Sequence, residues 1–103
     1  MKAEAKSAVR TLEHLSGKWR AAILSSLMSG RKRFGELRED LGDVTSKVLA
    51  ENLRYLEEAG LVARVVYAEV PPRTEYALTE AGYGFRTVLS ALTEWDRRFG
   101  ERK

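Results

Sequence analysis

The sequence predicts a mainly α-helical domain with one small β-hairpin. Apolar residues recur at helical spacing along most of the chain. Only residues 61–78 break that rhythm, in favour of Val, Tyr and strand-like alternation. A Pro71-Pro72 pair interrupts those residues, where neither ring can donate a ladder hydrogen bond and a chain reversal belongs. The predicted order is helix, helix, helix, helix, hairpin, helix.

Taken in turn, Ala5, Ala8, Val9, Leu12 and Leu15 mark the first helix, which Ser16-Gly17 interrupts. The second covers about Lys18 to Met28, with Trp19, Ala22, Ile23 and Leu27 on one face, and Ser29-Gly30 ends it. Trp19 is read as a core residue. The third is short, Phe34 to Leu41, burying Phe34, Leu37 and Leu41, and Gly42-Asp43 makes the tight turn that follows. Thr45 caps the fourth, because its hydroxyl can accept a free first-turn N–H. That helix runs 45–59 and Gly60 stops it. Strand-like residues 61–68 and 73–78 flank the prolines. Thr79 caps a last helix reaching about Phe99, with Ala81, Phe85, Val88, Leu89, Leu92, Trp95 and Phe99 as its stripe. Gly82 and Gly84, early in that helix, suit close packing against the hairpin. Two short helices joined by a tight turn and followed by a hairpin describe a winged helix-turn-helix.

Length and composition set bounds. The chain has 103 residues, which predicts one domain spanning 1–103 that folds without a disulfide or metal. It contains no cysteine, which excludes disulfides, thiolate metal sites and thiol catalysis. No apolar run approaches a membrane span and the start lacks a signal-peptide core, so the expected location is cytoplasmic, with no membrane partner. The net charge is +3. Residues 1–30 carry a surplus of three positive charges, residues 31–73 carry eight Lys/Arg against eight Asp/Glu, and residues 74–103 carry five against five. A basic surface must therefore come from local clusters such as Arg31-Lys32-Arg33. His14 is the only histidine, and neither a Ser-His-Asp set nor a Gly-rich phosphate loop is present. The sequence predicts no enzyme, no metal and no cofactor.

The stretch "DVTSKVLAENLRYLEEAGLVAR" divides by face. At 100° per residue, Leu49, Leu53 and Leu56 form the core side, flanked by Val48, Asn52, Tyr55 and Ala59. The opposite side collects Ser46, Lys47, Ala50, Glu51, Arg54 and Glu58. A helix entering the DNA major groove needs small residues where backbones approach and donors near its N-terminus. Thr45, Ser46, Lys47 and Ala50 meet that need, Arg54 reaches toward a phosphate, and Glu51 can accept from cytosine or repel a wrong approach. An ordinary solvated face has the same composition, so the surrounding elements carry the reading. Asn52 can pair with adenine in principle, but it lies toward the apolar flank, which favours an internal hydrogen bond or a helix contact over base readout.

These residues resemble the HxlR family of winged helix-turn-helix transcriptional regulators, relatives of the MarR type. The resemblance covers about Leu12 to Trp95. It rests on "GKW" at 17–19, "RFGELREDL" at 33–41, "TSKVLAENLRYLEEAGLVAR" at 45–64 and, most specifically, "VPPRTEYALTEAG" at 70–82. It implies a bacterial homodimer on a near-palindromic operator in double-stranded DNA, usually a repressor. It also implies dimerisation through an N-terminal helix (1–16) and a C-terminal helix (79–100), pointing to Val9, Leu12, Phe85, Val88, Leu92, Trp95 and Phe99. The last helix is itself rich in large apolar residues for so small a core. Many family members carry a cysteine near the first helix; here Lys6 stands near that place, so thiol sensing is excluded, and the identity of any small-molecule effector stays open.

The wing, 67–74, places Pro72 and Arg73 at a stiff tip. Arg73 either enters a minor groove, drawn by its negative potential, or pairs with Glu69 or Glu75. Lys32 and Arg33, beside Arg31, are read as phosphate contacts, against the alternative of a solvated charge run. The competing function is a winged-helix module that binds protein and not DNA, favoured by the even charge of residues 31–73.

Overall fold

A computed structural model describes residues 1–100; the last three residues of the predicted domain, 101–103, lie outside the described part. Six α-helices and a hairpin follow in the expected order: α1 (Ala3–Glu13), α2 (Arg20–Leu27), α3 (Phe34–Leu41), α4 (Ser46–Glu58), β1 (Val62–Tyr67), β2 (Arg73–Leu78), α5 (Glu80–Tyr83) and α6 (Phe85–Trp95), closed by a π-helical turn, Asp96–Gly100.

The core gathers around α2. Ile23, Leu24 and Leu27 are fully buried, and α3, α4, α6 and β2 all pack against this helix. A helix enclosed on several sides buries more than one stripe. That is why Leu24 joins the core although the single-face reading of Trp19, Ala22, Ile23 and Leu27 omits it. Trp19 packs on the core edge, as expected. Leu37 of α3 and Leu49, Leu53 and Leu56 of α4 complete the centre, while Phe34 and Leu41 are only half-buried.

Both ends of α4 are set locally. The Thr45 hydroxyl accepts the Val48 N–H at 3.2 Å. At the other end Gly60 takes φ 77°, a left-handed conformation that favours glycine. The Gly60 N–H then donates to Glu57 O (3.0 Å) and the Leu61 N–H to Leu56 O (2.9 Å), which satisfies the last carbonyls and turns Leu61 into the core. Before α4, Val44 is buried and the Arg38 Nε donates to its carbonyl at 3.2 Å, so the turn between α3 and α4 is tied down from both sides.

β1 and β2 pair antiparallel, from Val62 opposite Leu78 at the base to Tyr67 opposite Arg73 near the tip. The base is buried and the tip, Val70 to Pro72, stands in solvent. Lys32 adds a one-residue third strand by exchanging both backbone hydrogen bonds with Tyr76. Thr79 caps α5 as expected, accepting from the Gly82 N–H at 3.1 Å. Gly82 is pressed against β1's entry: a Cβ there would lie 2.1 Å from Leu61 O. Gly84 does not share that role, since its neighbours are the carbonyls of Ala81 and Glu80. The single last helix expected from sequence is instead divided at Gly84 into α5 and α6.

α6 changes character along its length. Phe85 is 7% exposed and belongs to this chain's own core, which corrects its assignment to a dimer interface. It opens the helix with its ring 6.3 Å from that of His14, edge-on, and Val88 and Leu89 are half-buried against the core. Beyond them Leu92, Trp95 (61% exposed) and Phe99 project outward on one stripe. No residue of α1 is buried, and Val9 and Leu12 are exposed. The root of α1 is held by His14, whose Nδ1 lies 2.9 Å from the Tyr55 hydroxyl, and by Arg20, which donates to Glu13 O and covers the Tyr55 ring at 3.4 Å. Because both arms project, the radius of gyration is 15.2 Å, above the about 13 Å of a compact chain this long.

The Gly82 contact gives a direct test. Gly82→Ala is expected to destabilise the domain by about 1–3 kcal/mol through overpacking against backbone. Urea unfolding of the two proteins measures it, and equal midpoints would refute the close approach.

Candidate nucleic-acid interface

With Leu49, Leu53 and Leu56 in the core, the opposite flank of α4 faces out. Ser46, Lys47, Glu51 and Arg54 are exposed and Ala50, between them, is half-buried. These residues of the sequence reading therefore share one open surface, with Thr45 at its head. The helix N-terminus adds positive potential at the same end. Asn52 turns inward as expected, its Nδ2 donating to Val48 O at 2.8 Å. Further along, Ala50, Arg54, Glu57 and Glu58 line a groove against Arg64 and Tyr76 of the hairpin. Arg64 lies 3.5 Å from Glu57. Burial, with Glu57 adding and Arg64 opposing, raises the Tyr76 hydroxyl above its ordinary pKa.

The wing tip faces the start of α3 across a second cleft, lined by Arg33, Phe34 and Gly35 on one side and by residues 69–74 on the other. The structure thus brings Arg33, Pro72 and Arg73 together, although they lie far apart in sequence. Arg33 is exposed, and its backbone N–H is taken by Glu36 Oε1 at 2.8 Å.

Two basic residues are held more closely than a solvated contact would be. Lys32, expected at a phosphate, turns back: its Nζ donates to Ser26 O and, at 2.9 Å, to the Ser29 hydroxyl, capping the C-terminal end of α2. Its backbone is already fixed by Tyr76, so the side chain leaves along the inner side of the hairpin. Arg73 is not free at the tip. Its guanidinium lies 3.9 Å from the Tyr67 ring centre, with Nη2 at 2.9 Å from Glu69 and Nη1 at 3.3 Å from Glu75. The Tyr67 hydroxyl in turn donates to Glu75 (3.0 Å) and accepts from Arg31 (2.7 Å). Glu69 and Glu75 are the partners that the sequence offered as the alternative for Arg73, and both hold it; Tyr67 and Arg31 in this role were missed at the level of sequence. The signal was available in the strand pattern: residues 73 and 75 share a face, and the hairpin register sets residue 67 opposite 73.

Among the described residues no group of His, Cys, Asp and Glu could hold a metal ion, and no helix is long and apolar enough to cross a membrane.

A capped helix with an open polar flank, entered by a tight turn and followed by a protruding hairpin, defines the winged helix-turn-helix class. Comparison with known proteins agrees. Residues 14–103 match the HxlR-like helix-turn-helix family, and the chain belongs to that family. An uncharacterised HTH-type transcriptional regulator of Methanothermobacter thermautotrophicus is 40% identical over 92 residues, covering 89% of this chain and 70% of that protein. The reduced form of the transcriptional regulator YodB from B. subtilis superposes with a TM-score of 0.84 at 35% identity, covering 98% and 96% of the two chains. A protein from Enterococcus faecalis V583 assigned to the MarR family of regulators superposes with a TM-score of 0.88 at 38% identity, covering 97% and 91%. The chain is thus a helix-turn-helix transcriptional regulator, and these relatives are regulators, not enzymes. The 103 residues include no cysteine.

The capping role of Lys32 can be checked. Lys32→Ala is expected to lower stability by about 0.5–1 kcal/mol in urea unfolding. It is also expected to leave the salt dependence of DNA binding unchanged; a shallower dependence would return Lys32 to the phosphate contacts.

Proposed function

We propose that this single-domain chain regulates transcription as a homodimer on a near-palindromic operator. Helix α4 enters the major groove, with Thr45, Ser46, Lys47 and Ala50 leading. Glu51 reads or rejects bases, and Arg54 meets the backbone. Arg33, Pro72 and Arg73 follow at the adjacent minor groove or backbone. The carrying observation is the division of α4: its leucine face is committed to the core, which leaves the 46–54 flank open to solvent. Dimerisation is supported by two projecting arms with apolar stripes, Val9 and Leu12 on α1, and Leu92, Trp95 and Phe99 on α6 and its terminal turn, with Val88 at the inner margin. Covering them removes apolar surface from water at about 25 cal/mol per Å². Two copies would set their α4 helices about 34 Å apart, one turn of the duplex. Repression is the expected sign, by occlusion of a promoter that overlaps the site.

The even charge over residues 31–73 favours the second reading, a module that binds protein. Fluorescence anisotropy on a duplex selected from a random-sequence pool separates the two. Affinity is expected to fall steeply with salt. Lys47→Ala should reduce the logarithmic salt slope by about one, and Arg54→Ala should act similarly. No retention of any duplex at low salt would favour the protein partner. Trp95→Glu is expected to shift sedimentation equilibrium from dimer to monomer; an unchanged dimer would remove Trp95 from the interface.

A further inference from the structure

We infer that the two carboxylates on Arg73 do opposite work in DNA binding: Glu75 positions the guanidinium, and Glu69 is a shutter over the edge a DNA acceptor would take. The inference rests on the reading of Arg73 as a DNA contact. Glu75 cannot easily leave. It is 15% exposed, and its other oxygen is held by the Tyr67 hydroxyl, which Arg31 also bonds. With the Tyr67 ring against one face of the guanidinium, this fixes Arg73's plane and direction. Glu69 is held differently. It is 49% exposed, it stands at the root of the solvent-exposed tip, and among the described residues its carboxylate is held by Arg73 alone.

Glu69 bonds Nη2, leaving Nη1 to Glu75. An acceptor on DNA would compete with it for the same N–H groups, since guanidinium takes carboxylate and phosphate in the same planar geometry. Exchanging a half-exposed ion pair for a DNA contact gives up little, because such pairs contribute little in water. Displacing Glu75 would instead strip a largely buried carboxylate of its partner. The shutter also keeps the free wing close to neutral, with Glu69 and Glu75 against Arg31 and Arg73. Indiscriminate attraction to any phosphate is thereby reduced, and the gain from the wing is kept for complexes already seated by α4.

A double-mutant cycle tests this by anisotropy on the selected duplex. Glu69→Gln is expected to tighten binding by up to about fivefold, the scale of an exposed pair. Arg73→Ala and Glu75→Gln are each expected to weaken it. In the Arg73→Ala background both glutamate substitutions should lose their effect. Full affinity of Arg73→Ala would sink the wing reading itself. A weakened Arg73→Ala with Glu69→Gln unchanged or weaker would overturn the shutter alone. So would an equal gain from Glu69→Gln in both backgrounds, because that is generic charge removal. Glu69 is exposed enough that its variant should fold; thermal melts of Glu75→Gln guard that arm, with Glu75→Asp expected to restore binding if the carboxylate acts by positioning.

Discussion

The burial of one face of α4 in the core built around α2 is the constraint on which the rest depends. Leu49, Leu53 and Leu56 interlock with Ile23, Leu24, Leu27 and Leu37, and each such side chain contributes about 1.5–3 kcal/mol by leaving water. Rotating α4 about its axis would expose this row, so the helix has one permitted orientation. Everything functional about it follows from that choice. The flank carrying Ser46, Lys47 and Arg54 is open because the leucines are closed, and the capped ends at Thr45 and Gly60 keep the helix from sliding along its axis.

The arms are built on the opposite logic. α6 begins in the core with Phe85 and ends in solvent with Trp95, followed by Phe99 in the terminal turn, so one helix links the interior to an exposed apolar surface. The root of α1 is tied to α4 through His14, Tyr55 and Arg20. The root of α1 and the back of α4 are thus joined by a hydrogen bond and a stacked cation, not by a flexible linker.

Electrostatically the molecule is restrained. Its net charge is small, and the basic residues nearest the wing are partly answered by acids: Arg73 by Glu69 and Glu75, Arg64 by Glu57. Lys47, Arg54 and Arg33 are exposed, and no ion pair of theirs is found among the described residues. In the proposed complex, attraction to DNA rests on a few placed groups more than on a broad positive face.

Much of this was legible in the sequence. Helical period, capping residues and the Pro-Pro interruption located every major element, because each is a local property of a few neighbouring residues. The exposed flank of α4 followed from the 100° step, and Asn52's inward bond from its place on that wheel. Tertiary structure alone decided the rest. Whether Phe85 faced the core or a partner depended on how the start of α6 packs on the rest of the chain. Whether Lys32 and Arg73 stood free depended on Ser26, Ser29, Glu69 and Glu75, acceptors whose nearness is set by folding. A side chain's period is written in its own segment; its partner is chosen by the packing of segments distant along the chain.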